Sequence, residues 1–254
     1  MQRAFCLSCC VLPAVFYLIY LILEKQDTQT MTDFNNHCLP MLYDGPSRIE
    51  DSFYLIKLLR QNNITRIFFT PDFHLSTDTI TSFMARRKAA FASIRNKIPP
   101  DIRARCASRV LLEEFSMSQD SIRRLSVKGS NYIFIELPII YDSRWIEQEI
   151  HSMLYKRKLK PIFTSFQRVI MNYPPDVVTR LTNISGAAFQ LDMNCVYERK
   201  MLSFIRISLK RGKIILIGTH KFDVSLSHGF DILSEFLGKD LFEFMNEQVD
   251  NFLK

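Results

Sequence analysis

Residues 132–164 read YIFIELPIIYDSRWIEQEIHSMLYKRKLKPIFT. Tyr132–Leu137 and Pro161–Thr164 are apolar runs of strand length, nearly unbroken rather than alternating, as strands buried on both faces are. Between them Arg144–Lys156 has the period of a helix. A strand, a helix and a strand in that order form a βαβ unit, whose strands are parallel. The alternation continues in both directions. Further strands are expected at Thr32–Phe34, Arg66–Thr70, Ile102–Val110, Ala187–Met193 and Lys213–Ile217. Helices are expected near Thr77–Asn96, Asp176–Leu181, Glu198–Lys210, Gly229–Leu237 and Leu241–Leu253. Ser47-Arg48-Ile49-Glu50 has the spacing of a capping box ahead of the helical run IEDSFYLIKLLRQ, and Pro174-Pro175 suits the first turn of another helix. Seven β-then-α units predict an α/β fold, a closed or nearly closed parallel barrel; a doubly wound open sheet fits the alternation almost as well.

Composition agrees with a globular domain. The 254 residues are 47% hydrophobic and 23% charged, which excludes a disordered, collagen-like or multi-pass membrane chain. There are only 7 glycines, and neither a P-loop nor a dinucleotide fingerprint occurs. Cysteines at 6, 9, 10, 38, 106 and 195 have neither the spacing of a disulfide framework nor that of a zinc site. Residues 31–254 read as one domain without repeat or linker, behind a hydrophobic segment at 1–30. Within that segment Ala4–Leu23, AFCLSCCVLPAVFYLIYLIL, carries no charge and is long enough for a bilayer core of ~30 Å. Pro13 in its middle fits a kinked anchor or a partly buried extension. The expected location is therefore cytoplasmic, or attached to the inner membrane by this single segment.

In a parallel βα fold, ligands bind at the carboxyl ends of the strands. The residues expected there are Asp33-Phe34-Asn35-Asn36-His37-Cys38, Tyr43-Asp44-Gly45-Pro46, Thr70-Pro71-Asp72-Phe73-His74, Ser108-Arg109, Glu136-Leu137-Pro138, Ser165-Phe166-Gln167-Arg168, Asp192-Met193-Asn194 and Gly218-Thr219-His220. Three of the five histidines, His37, His74 and His220, fall in this set. Imidazoles and carboxylates on one rim are what a metal centre with N/O ligands needs. Polar residues also end strands simply because loops are wet, so the rim alone names no ion.

The order TDFNNHCLP…YDGP, FFTPDFH, IELP, KPIFTSFQR, FQLD and IGTH resembles the bacterial tyrosine phosphatases of the polymerase-and-histidinol-phosphatase (PHP) type that are encoded with capsule and exopolysaccharide genes. The resemblance runs from about Met31 to the C-terminus. It implies a distorted seven-stranded βα barrel, three manganese ions at the strand ends, and hydrolysis of phosphotyrosine on the tail of a partner bacterial tyrosine kinase.

The departures from that pattern concern the metals. Of the family's Asp-x-His-x-His, Asp33 and His37 stand, but Asn35 replaces the first His. Of Asp-Asp-Gly-Pro, Asp44 stands and Tyr43 replaces the first Asp. Thr-Pro-His becomes Thr-Pro-Asp72. The bridging Glu is expected near Ser108 or Arg109, neither a carboxylate. His-Pro-Glu-Arg becomes Ser165-Phe166-Gln167-Arg168. The closing Asp-x-His keeps at most His220, with Gly218 or Phe222 at the other ligand position. A trinuclear site gathers about six positive charges; removing its carboxylates, and placing an Arg among them, repels cations. The residual candidates are His37, Asp44, Asp72, His74 and His220, which could hold one divalent ion or merely hydrogen-bond around an empty centre. Arg168 is the candidate for a phosphate. The resemblance thus implies an impaired or inactive member of the family that binds a kinase tail or phosphotyrosine. An active phosphatase with a reduced metal site and a membrane-tethered scaffold are the alternatives. A cysteine-dependent phosphatase needs His-Cys with Arg after five intervening residues; after His37-Cys38 that position is Asp44.

The net charge is +7, and basic residues cluster at Arg86-Arg87-Lys88, Arg123-Arg124, Lys156-Arg157-Lys158 with Lys160, Arg199-Lys200 and Lys210-Arg211 with Lys213. Such clusters usually form solvated helix faces; several on one face would attract an acidic or phosphorylated tail, or an anionic membrane surface. No nucleic-acid motif accompanies them.

Overall fold

The computed structural model describes residues 31–43, 45–219 and 226–253; the apolar segment at 4–23, Asp44 and His220 lie outside the described residues. Nine strands are present among them: β1 (Met31–Asn36), β2 (Ile64–Phe69), β3 (Asp72–Phe73), β4 (Arg103–Cys106), β5 (Arg109–Leu111), β6 (Tyr132–Glu136), β7 (Lys160–Phe163), β8 (Ala188–Asp192) and β9 (Ile214–Gly218). All pairings are parallel. The strands form two sheets, β1-β2-β4 and β3-β5-β6-β7-β8-β9, rather than one seven-stranded ladder.

Two of the expected strands are broken, and both breaks lie at the same level. The second run ends at Phe69 because Pro71 has no N–H to donate to a ladder; the chain resumes as β3 in the other sheet. The third, expected as Ile102–Val110, is interrupted at the buried Ala107-Ser108. Its first half, β4, pairs with β2, and its second half, β5, pairs with β6. Backbone bonds stitch the crossing: Ala107 N donates to Phe69 O at 2.9 Å and Arg109 N to Pro71 O at 3.1 Å.

Side-chain alternation divides the core in two. Phe34, Phe68, Phe134, Ile162, Ala188 and Leu216, one from each of six strands, fill a shared interior that Val249 helps to close. Their chain neighbours Ile67, Phe69, Ile133, Ile135, Phe163, Phe189, Ile215 and Ile217 face the other way, into the core beneath the helices. Burial on both faces is why these strands read as continuous apolar runs. Phe34 and Phe68 stack at 5.1 Å between centroids.

The helices are α1 (Ile49–Gln61), α2 (Ile80–Arg95), α3 (Ser143–His151), α4 (Phe166–Asn172), α5 (Pro175–Thr182), α6 (Arg199–Lys210), α7 (Leu226–Leu237) and α8 (Lys239–Leu253). A π turn, Ser152–Lys156, extends α3. The capping box expected at Ser47 does not form: Arg48 is the N-cap and makes no side-chain cap bond. A true cap stands on α2, where Thr79 Oγ1 accepts from Ser82 N at 3.2 Å. Pro175 sits in the first turn of α5, as its fixed φ favours. Helix α4 was not expected from the sequence; it follows β7 directly through Ser165, whose φ is +47°. No helix among the described residues is long and apolar enough to cross a membrane.

Close approach at the end of β9 explains one glycine. A Cβ at Gly218 would lie 2.5 Å from Asn35 Cβ and 2.7 Å from Asn35 N. The missing side chain lets the last strand meet the first. That contact brings the two ends of the fold together at the strand-end rim.

Candidate functional site at the strand ends

The rim holds two polar networks. The first is built on Asp33 and Asp192. Asp33, in the middle of β1, accepts from Thr219 Oγ1 and Asn36 Nδ2, both at 2.7 Å, and from Thr219 N at 2.9 Å. Burial pushes its carboxyl above the ordinary value, and these donors pull it back in part. Asp192 at the end of β8 accepts from Gln167 Nε2 at 2.5 Å, Gln190 Nε2 at 3.1 Å, Asn35 Nδ2 at 3.2 Å and Ser165 Oγ at 3.3 Å. Asn35 links the network onward, since its Oδ1 lies 3.1 Å from His37 Nε2. A buried carboxylate surrounded by neutral amide and hydroxyl donors is satisfied without a cation.

The second network is ionic. Arg109, with a side chain only 4% exposed, donates Nε to Asp72 Oδ1 at 2.5 Å and Nη2 to Asp72 Oδ2 at 2.7 Å. Its Nη1 lies 3.1 Å from Glu136 Oε2. Arg168 pairs with the other oxygen of Glu136. The chain Asp72–Arg109–Glu136–Arg168 is neutral in sum, and its fork-on-carboxylate geometry fixes Asp72 in orientation. Arg168, at its open end, keeps 34% of its side-chain surface exposed.

The residual ligand candidates are thus placed as follows. Asp72 is clasped by Arg109. His37 is buried against Asn35. His74 points elsewhere, with Nδ1 3.9 Å from Glu113 Oε1 and its ring 5.3 Å from that of Tyr43. Tyr43, at the first Asp position of the family pattern, donates or accepts with Thr77 Oγ1 at 2.7 Å and lies beneath the Arg86 guanidinium. Arg168 is paired with Glu136. Asp44 and His220 are outside the described residues. Both bridging positions meet guanidinium groups: Ser108 accepts from Arg87, and Arg109 is itself the cation. Among the described residues no three His, Cys, Asp or Glu are arranged to hold a metal ion. At Asp72 the described residues do not fit a shared metal centre, because the Arg109 guanidinium occupies the carboxylate that would ligate it.

The three thiols among the described residues offer no substitute nucleophile. Burial pushes Cys106 and Cys195 up to about 12, and Cys38 well above its ordinary value, so all three are protonated at neutral pH. The sequence alone did not show Asp192 as the centre of a network, nor Glu136 as the carboxylate shared by two arginines. The available signal was position: both end strands, in FQLD and in IELP.

Parallel strands, helices on the outside and a polar rim at the strand ends define an α/β protein with a site at its carboxyl-terminal face. Residues 31–228 match the model of the family of capsular polysaccharide synthesis proteins, CpsB/CapC, and the chain belongs to that family. A structure from the work on YwqE of Bacillus subtilis and CpsB of Streptococcus pneumoniae, described as unique metal-dependent tyrosine phosphatases, superposes with a TM-score of 0.69 at 18% identity, covering 88% of this chain and 94% of the other. A TatD family hydrolase from Entamoeba histolytica gives a TM-score of 0.52 at 11% identity, covering 89% and 97%. At such identities the likeness is one of fold. No curated protein matches the sequence.

Proposed function

We propose that this chain is a catalytically impaired member of the capsule-synthesis tyrosine-phosphatase family, on a distorted barrel of PHP type, that binds a bacterial tyrosine kinase tail or its phosphotyrosine without turning it over. The observation that carries the reading is Arg109. Its buried guanidinium holds Asp72 and Glu136 at one of the two positions, Ser108 or Arg109, near which the family pattern has a bridging carboxylate. Without a metal-activated water or a lowered-pKa thiol, no described residue of the rim supplies a nucleophile for phosphorus. In this reading Arg168, at the exposed end of the ion chain, meets the phosphate in exchange for part of its bond to Glu136. The apolar segment at 4–23 would tether the domain at the inner membrane.

The test is phosphate release from a tyrosine-phosphorylated peptide by the full chain, with added Mn²⁺ and, in parallel, with a chelator. Release no faster than in buffer is expected, with binding of the same peptide that weakens in Arg168→Ala. Chelator-sensitive turnover would establish the alternative, an active phosphatase with a reduced metal site. Fractionation of cells carrying the chain with and without residues 1–30 tests the tether.

A further inference from the structure

We propose that a second site, a basic groove on the flank of the fold, binds an extended acidic peptide by adding it as a strand to the open edge of β4. The groove opens where the two sheets part. β4 is the last strand of its sheet, pairing with β2 on one side and with no further strand among the described residues on the other. Ala104, Arg105 and Cys106 of that strand line a groove of about 1350 Å³. Its walls are α2 on one side and residues 123–129 on the other. Of its lining residues only Arg87, which donates to Ser108, reaches the rim.

Three features point to one kind of occupant. The first is charge: Lys88, Arg95, Arg105, Arg123, Arg124 and Lys128 line the groove, all exposed, and no Asp or Glu is among its lining residues. Two of the basic clusters noted in the sequence thus share one face, and like charge concentrated in a cleft focuses an attractive field on an anion. The second is size: the volume exceeds the ~300–1,000 Å³ of small-molecule pockets, so a polymer segment fits better than a metabolite. The third is the strand edge. Beside the groove β4 has no second ladder partner among the described residues, and such a strand edge is a template that a peptide can complete and that a polysaccharide cannot. The floor is apolar, with Phe68, Met84, Phe91 and Val127. Successive side chains of a strand point to opposite sides. An occupant with alternating acidic and apolar residues therefore places its carboxylates toward the cations and its apolar side chains on this floor.

The experiment uses the full chain and a fluorescent ten-residue peptide of alternating Glu and Val, which contains no tyrosine, so its outcome is independent of the phosphotyrosine reading. Binding is followed by fluorescence anisotropy. Saturable binding that weakens steeply with salt is expected, and the double charge reversal Lys88→Glu/Lys128→Glu weakens it at least tenfold; both positions are exposed, and circular dichroism verifies the fold of the variant. The decisive arm is backbone N-methylation, because only alternate residues of an added strand donate to β4. Methylating one alternate set abolishes binding and methylating the other leaves it within about twofold, as strand pairing requires. No binding, equal loss for both sets, or no loss for either overturns the proposal. An acidic oligosaccharide that displaces the peptide at equimolar concentration overturns it as well, and identifies a polyanion site in its place.

Discussion

Arg109→Met tests whether the guanidinium is what holds the rim together. Methionine keeps much of the apolar stem but cannot donate. In the native fold Arg109 makes three contacts of 2.5, 2.7 and 3.1 Å to two buried carboxylates. Removing it converts a neutral chain of four charges into one with a net negative charge, and leaves Asp72 without its partner. Breaking a buried pair from one side costs about 3–5 kcal/mol. For a domain of this size each kcal/mol lowers Tm by roughly 2–4 °C, so a fall of about 6–20 °C is expected by circular dichroism. Arg109→Lys keeps the charge and loses the fork, and its loss is smaller. In the triple variant Asp72→Asn/Arg109→Met/Glu136→Gln the buried charges go together, and most of the deficit disappears. A single variant within about 0.5 kcal/mol of the native protein would behave as a surface substitution does, and would refute the central role given to this residue. So would a triple variant no more stable than the single one.

Three other outcomes follow from the same geometry. Gly218→Ala forces a Cβ into the backbone of Asn35 and is expected to lower stability by about 1–3 kcal/mol, measured by denaturant titration; an unchanged midpoint would mean that β1 and β9 do not approach as described. Asp33→Asn presents an amide to groups that all donate, and costs about 1–3 kcal/mol. Because burial raises the Asp33 carboxyl above 3.8, the folded state binds its proton more tightly than the unfolded state does, and the native protein loses stability from this group as pH rises above that value. The gap between native protein and Asp33→Asn should therefore narrow with rising pH; a widening gap contradicts the assignment. In alkylation at pH 8 mapped by mass spectrometry, the buried Cys38 and Cys195 should stay unlabelled until the protein is unfolded, and the half-buried Cys106, pushed up to about 12, should label slowly; rapid labelling of Cys195 would show that its thiol is neither buried nor protonated.

The parallel strands were legible because burial on both faces leaves an unmistakable record. Ile133 and Ile135 face one core while Phe134 faces the other, so no polar residue interrupts the run. The division into two sheets was not legible. It depends on where a ladder changes partner, and the two breaks differ: Pro71 carries a recognisable signal, while Ala107-Ser108 is small, contains neither Gly nor Pro, and carries none. The capping box failed for a related reason, since a spacing rule cannot say which residue the backbone will make the cap, and here it is Arg48.

At the rim the sequence displayed the ingredients and concealed the pairings. Asp72 reads as a ligand candidate and Arg109 as a substituted bridge, but only the fold shows that each answers the other across 37 positions of chain. That pairing changes what the substitutions mean. A ligand set that had merely decayed would leave buried carboxylates without partners, a state costing several kcal/mol for each charge. Instead Asp72 and Glu136 are met by guanidinium groups, and Asp192 by three amides and a hydroxyl. On the proposed reading, guanidinium groups and amides take the place of the cation at these carboxylates, and the rim gains nothing from a metal ion. Hence Mn²⁺ should leave the Tm of the full chain where it is, whereas saturation to a hundred times a dissociation constant would add about 2.7 kcal/mol, a rise of several degrees.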